Sequence, residues 1–189
     1  MKRLTSEKNL IYNLFMMILC WTASSFSFYL INFLIKYMPG DIYFNSVVSG
    51  MAAVALLIEG KLQQKLDLRG GLAFSYFQAF VASILLCFFD KQTDRVFFYA
   101  LVLLLAKSGA NLAIGFSYAI HLELFPSHFV ITSFGICNFF CRGITIFAPM
   151  VAEFDNRYVP LSFLVGLGCM GFISSLLLRK KPPQKVLRI

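Results

Sequence analysis

An all-α membrane bundle of six transmembrane helices is the fold class that this sequence predicts, on three observations. Of its 189 residues, 59% are hydrophobic and only 14% are charged, whereas an average soluble domain carries about 25% charged residues. Mean hydropathy is +0.75, and the apolar residues fall in runs of helical length that a water-soluble domain could not cover. Most Lys and Arg residues lie in the short stretches between those runs or at the chain ends, as in loops at a membrane surface.

A crossing needs about 20 apolar residues, with a range of about 17–25. A polar stretch, 1–9, leads into a first span at 10–35. That run is longer than the roughly 7–15-residue core of a cleavable signal peptide. Pro39-Gly40 ends it, and the second and shortest span follows at 42–58. Gly70-Gly71 opens a third at 71–89, and the polar stretch 90–95 precedes a fourth at 96–120. Pro126-Ser127 introduces a fifth at 129–151, in which Pro149 sits near the end, where a kink is tolerable. The stretch 155–160 precedes a sixth at 160–178 and a basic tail at 179–189. No Pro/Ser-rich linker divides the chain, so residues 1–189 are expected to form one domain.

Orientation follows from the basic residues. One side collects Lys2, Arg3, Lys8, Lys61, Lys65, Arg69, Arg179, Lys180, Lys181, Lys185 and Arg188; the other holds Lys36, Lys91, Arg95 and Arg157. Both termini are therefore expected in the cytosol. The net charge of +8 is dispersed among apolar runs, which argues for membrane topology and against nucleic acid. The five cysteines, Cys20, Cys87, Cys137, Cys141 and Cys169, all lie within apolar segments without metal-like spacing, and read as packing residues.

Two basic residues fall inside spans: Lys107 near the middle of the fourth and Arg142 near the middle of the fifth. A charge at the centre of a membrane helix costs about 2.5–3.5 kcal/mol on insertion scales, and no acidic residue lies at comparable depth. The sharp reading is two cations facing one wet cavity that attracts an anion. The bland reading is that Lys107 snorkels or pairs outside the chain, and that Arg142 braces packing through carbonyls. Asn138 and Asn111 each lie four residues from one of these cations and so share its face. In the first span Phe26, Tyr29 and Asn32 recur every three residues, which suggests one stripe; Tyr29 and Asn32 need polar partners in lipid. Gly109, Gly115, Gly166, Gly168 and Gly171 read as close helix contacts. An enzyme has little support, since no nucleophile motif, paired intramembrane carboxylates or metal cluster is visible and His121 and His128 fall at a loop. No cofactor or metal is expected. A voltage-gated channel would need a regular arginine series, which is absent.

Residues 118–149 read Y-A-I-H-L-E-L-F-P-S-H-F-V-I-T-S-F-G-I-C-N-F-F-C-R-G-I-T-I-F-A-P. This resembles the signature joining the tenth and eleventh helices of major facilitator transporters, in particular the organic cation/anion transporter family. Tyr118, Glu123, Leu124, Phe125, Pro126, Ser127, Gly135, Arg142, Ala148 and Pro149 match its pattern. Trp21, Ser24, Ser25 and Tyr29 add a weaker likeness to that family's seventh helix, so the chain corresponds to helices seven to twelve. The resemblance implies that Arg142 faces a central cavity and favours an organic anion or zwitterion. It implies that Lys107 is a common basic position and that Tyr29 lies on a substrate-contacting helix. Glu123, Pro126, Asp67, Gly70 and Pro149 become gating or structural motif positions. Two departures stand out: Val130 replaces the arginine that would pair with Glu123, and residues 67–71 keep only the Asp and Gly of the expected loop signature. The implied activity is transport by alternating access, as half of a secondary transporter. Its partners would be the lipid bilayer, a small organic solute and a six-helix N-terminal half, with the plasma membrane preferred over an organelle. The rival expectation is a transporter-derived interaction or regulatory protein that does not transport.

Overall fold

The computed structural model describes residues 2–37, 41–54, 57, 67–88 and 96–179. All regular structure among them is helical. In chain order the helices are α1 (Lys2–Leu34, continued by a 3-10 turn at Ile35–Tyr37), α2 (Ile42–Met51), α3 (Leu68–Phe88), α4 (Val96–Leu124), α5 (Ser127–Thr145), α6 (Ala148–Ala152) and α7 (Tyr158–Leu177). Five stretches are long and apolar enough to cross a membrane: Lys8–Tyr37, Leu68–Phe88, Phe97–Leu124, Ser127–Ala152 and Tyr158–Leu177. The expected second span is represented by α2, which starts where Asp41 accepts the Tyr43 backbone N–H at 3.0 Å. The end of that span, the expected breaks at 39–40 and 90–95, and the tail from 180 onward lie outside the described residues.

The ends of the spans differ from expectation in three places, each with a local cause. Helix α3 begins at Leu68, so Gly70 and Gly71 lie inside its first turn instead of breaking it. Gly71 has a packing duty there, because a methyl group at this position would run into the ring of Phe116 on α4. Helix α4 continues to Leu124, past its expected end at residue 120. Pro126, the residue at which α5 is capped, marks the stop. The fifth span is broken: α5 ends at Thr145, a turn occupies Ile146 and Phe147, and Pro149 sits in the first turn of α6.

Helix α3 lies between α4 and α7, and glycines set the separations. A methyl group at Gly109 on α4 would sit 2.8 Å from the Ala79 backbone nitrogen and 2.9 Å from the Ser75 carbonyl on α3. One at Gly168 on α7 would sit 3.0 Å from the Phe80 Cα, and Gly171 lies directly against the Tyr76 ring. These three bear out the reading of Gly109, Gly168 and Gly171 as contact residues. Gly166 has nothing within 4 Å among the described residues.

Helix α1 packs across α4, α5, α6 and α7. Its first turns meet the end of α7. There the Asn13 amide donates to the Arg179 carbonyl at 3.0 Å and accepts the Arg179 N–H at 3.0 Å. The Arg179 guanidinium reaches Asn9 Oδ1 at 2.8 Å and stacks over Tyr12, while Arg69 donates to the Leu178 carbonyl at 2.6 Å. The core has two parts, one around Leu30, Leu86, Leu103 and Leu164, the other around Trp21, Leu72, Phe116 and Ile120.

Candidate functional site

Helices α1, α4 and α5 enclose a cavity of about 180 Å³. Trp21, Ser24, Ser25, Phe28 and Tyr29 line it from α1. Ile114, Ser117 and Tyr118 line it from α4, and Asn138 and Arg142 from α5. Tyr29 and Arg142 come together across the helix interface: Arg142 Nη1 donates to the Tyr29 hydroxyl at 2.7 Å, with the guanidinium carbon 5.8 Å from the ring centroid. The shared face expected of Asn138 and Arg142 holds, since both border the cavity. Asn138 also donates to the Phe134 carbonyl at 3.2 Å, one turn back along α5.

Arg142 is exposed on the isolated chain. Together with Asn138, Gly135, Phe139 and Ile146 it also borders an open groove of about 720 Å³ on the outer side of α5. No carboxylate among the described residues pairs with it. Four aromatic rings, hydroxyls and one guanidinium thus line a pocket whose only formal charge is positive. Chemically, such a wall can hold a planar or compact organic group and neutralise an attached anion.

The structure separates the two intramembrane cations, which corrects the expectation of a single wall. Lys107 is buried, 7% exposed. Its ammonium donates to Asn32 Oδ1 at 2.6 Å and to Ser49 Oγ on α2, and lies 5.4 Å from the Phe28 ring centroid. Asn111, one turn further along α4, donates to the Ala52 carbonyl at 3.0 Å. Lys107, Asn32 and Asn111 therefore tie α1 and α2 to α4, and none of them lines the Arg142 cavity. The expected stripe on α1 also divides. Three-residue steps fall 60° short of a full turn at 3.6 residues per turn. Phe26 accordingly packs in the core against Phe163, Tyr29 faces Arg142 and Asn32 faces Lys107.

Of the motif positions, Glu123 is exposed and makes no ion pair with a described residue, and Val130 is half-buried beside it in sequence. Asp67 and Gly70 are exposed at the start of α3.

Sequence reasoning misplaced His121. It lies within α4, not in a loop, and is fully buried; His128 is exposed in the first turn of α5. His121 Nε2 is 2.9 Å from Ser133 Oγ and 3.4 Å from the Val130 carbonyl, and its ring packs against those of Phe125 (4.6 Å between centroids), Phe134 (5.7 Å) and Trp21 (6.0 Å). The available signal was the run Ile120-His121-Leu122-Glu123-Leu124, apolar enough to extend the helix to Pro126. Among the described residues no group of His, Cys, Asp and Glu could hold a metal ion. Comparison of the sequence with protein-family models and with curated proteins gave no match.

Proposed function

We propose that this chain is a non-catalytic, multi-pass membrane protein that binds a small organic anion or zwitterion at bilayer depth and carries it across as one wall of a secondary transporter. The observation that carries the reading is Arg142: a guanidinium inside the apolar stretch Ser127–Ala152, in the last turn of α5, bordering a cavity, with no carboxylate to neutralise it among the described residues. Held in lipid, that charge would cost several kcal/mol, a penalty that a wet, anion-accepting pocket relieves. Tyr29 aims the fork, Asn138 adds a polar contact, and Trp21, Phe28 and Tyr118 supply apolar surface for the rest of the solute. The exposed flank of α5 fits a second helical half, which would close the groove beside Arg142 and complete the translocation path. The likeness of residues 118–149 to organic cation/anion transporters supports alternating access between such halves. The basic-residue bias supports cytosolic termini, and the same likeness favours the plasma membrane.

A second reading, an interaction or regulatory protein that no longer transports, is favoured by the motif positions. Glu123 has no ion-pair partner among the described residues, and Val130 stands where the resemblance expects the arginine that would pair with it. Trp21, the single tryptophan, lines the cavity and reports on occupancy. Its fluorescence should be quenched by benzenesulfonate more strongly than by phenyltrimethylammonium, and Arg142→Asp should invert that order. An unchanged order refutes the role of Arg142. Anion binding without uptake by cells producing the full chain favours the second reading over transport.

A further inference from the structure

We infer that His121 is a proton-binding site coupled through Trp21 to the Arg142 cavity, so that anion binding there is proton-linked. The coupling rests on the anion-binding reading above; the proton site rests on geometry of its own. Ser133 Oγ has the Val130 carbonyl as an acceptor at 3.0 Å. With its proton directed there, the hydroxyl accepts from His121 Nε2–H at 2.9 Å. The reverse arrangement would bury an unpaired N–H at Nδ1, so Nε2 is assigned as the protonated nitrogen. The neutral ring then carries its basic lone pair on Nδ1. That atom is fully buried and has no hydrogen-bond partner among the described residues, so its lone pair is uncommitted.

Protonation from bulk solvent adds a proton to the Nδ1 lone pair and breaks no bond in the protein. A cation in a buried site is costly, and two features of the surroundings offset that cost. His121 lies in the last turn of α4, where the unpaired carbonyls of the helix end favour positive charge. The rings of Phe125, Phe134 and Trp21 pack around it, and an aromatic ring that presents its face can stabilise a cation. The titratable groups near it on the packed elements are Tyr118 on α4, which also contacts Trp21; Cys137, one turn beyond Ser133 on α5; Cys20 on α1; and Tyr76 on α3, which donates to the Cys20 carbonyl. The charged Arg142 lies more than two turns beyond Ser133 on α5, and Lys107 about four turns before His121 on α4. Glu123, two residues along α4, is exposed. No charged side chain among the described residues touches the imidazole.

Trp21 joins this site to the cavity. Its ring meets both His121, at 6.0 Å and 73° between planes, and Tyr118, at 4.6 Å, while lining the pocket that holds Arg142. Its own Nε1 is buried without an acceptor among the described residues. A charge on His121 adds a second cation behind the pocket wall. An anion in the pocket and a proton on His121 should then favour each other by the same factor.

The experiment follows Trp21 emission of the full chain in nanodiscs between about pH 4 and 8, the range around imidazole titration. Emission should fall on acidification as a single-proton step, because an imidazolium quenches an adjacent indole. His121→Gln should abolish the step and His128→Gln should keep it. Ser133→Ala, which leaves the ring in place, should move the midpoint to lower pH by removing the Nε2 acceptor. Benzenesulfonate, ionised throughout this range, should bind at least about fivefold more tightly below the midpoint and raise the midpoint in turn. No step, or a step that survives His121→Gln, overturns the proton site. Benzenesulfonate binding that depends on Arg142 but leaves the midpoint unmoved overturns the coupling. If benzenesulfonate does not bind at any pH while the step is present, the anion-binding reading and the coupling fail and the proton site stands.

Discussion

Replacing Asn32 with Leu asks whether Lys107 is a structural clasp or a ligand group. Asn32 Oδ1 accepts from the buried Lys107 ammonium at 2.6 Å. A neutral side-chain hydrogen bond between membrane helices averages about 0.6 kcal/mol, but a bond to a charged group is worth about 1.5–3 kcal/mol. Lys107 is only 7% exposed, so water cannot replace the lost acceptor. Asn32→Leu should therefore cost about 2 kcal/mol. Lys107→Met removes the charge together with its need for a partner and should cost less, since an apolar side chain of similar length can fill the site. In the double variant the Asn32 loss should nearly vanish, giving a coupling energy above about 1 kcal/mol. Unfolding of the micelle-bound chain in SDS, followed by circular dichroism, measures all three. Additivity within about 0.5 kcal/mol would refute the clasp. Lys107→Met should also leave benzenesulfonate binding intact, and its loss would return Lys107 to the cavity.

Two further outcomes follow from contacts elsewhere. Gly109→Ala places a methyl group against the α3 backbone, which cannot rotate away, and should destabilise by about 1–3 kcal/mol. Gly166→Ala, where a methyl group would meet no described residue, should be neutral or stabilising by up to about 1 kcal/mol; equal melting temperatures for the two would contradict the glycine contacts. Asn13→Ala removes both hydrogen bonds to Arg179 and should cost about 1–2 kcal/mol. It should also speed hydrogen exchange at the amides of the last turn of α7, and unchanged protection there would count against the tie.

The helical class and five of the crossings were legible because a long apolar run has few alternatives in structure. The ends were less so: Gly70 and Gly71 looked like a break, yet Gly71 is required where the Phe116 ring passes. Arg142, Asn138 and Tyr29 could be anticipated from the expense of a charge in a span and from helical spacing. Lys107 carried the same signal and lies elsewhere, because depth along a helix reveals a charge's cost but not the direction in which its side chain points. Asn32 and Asn111 followed Lys107 to α2, whose Ser49 and Ala52 supply acceptors that no local pattern announces. His121 escaped notice because its significance lies in Ser133, twelve residues away on another helix.

The glycine contacts that draw α3 onto α4 and α7 also limit how the molecule can change shape. Where one backbone rests on another there is no side chain to swing aside, so these three helices resist shear and should travel as a single rigid body. Any opening of the Arg142 pocket must then be taken up by α1 and α5. The interruption at Ile146 and Phe147 lies beside them and supplies a place for the chain to bend. Rocking at that hinge would widen or narrow the gap between Tyr29 and Arg142 while the glycine-packed slab stays still.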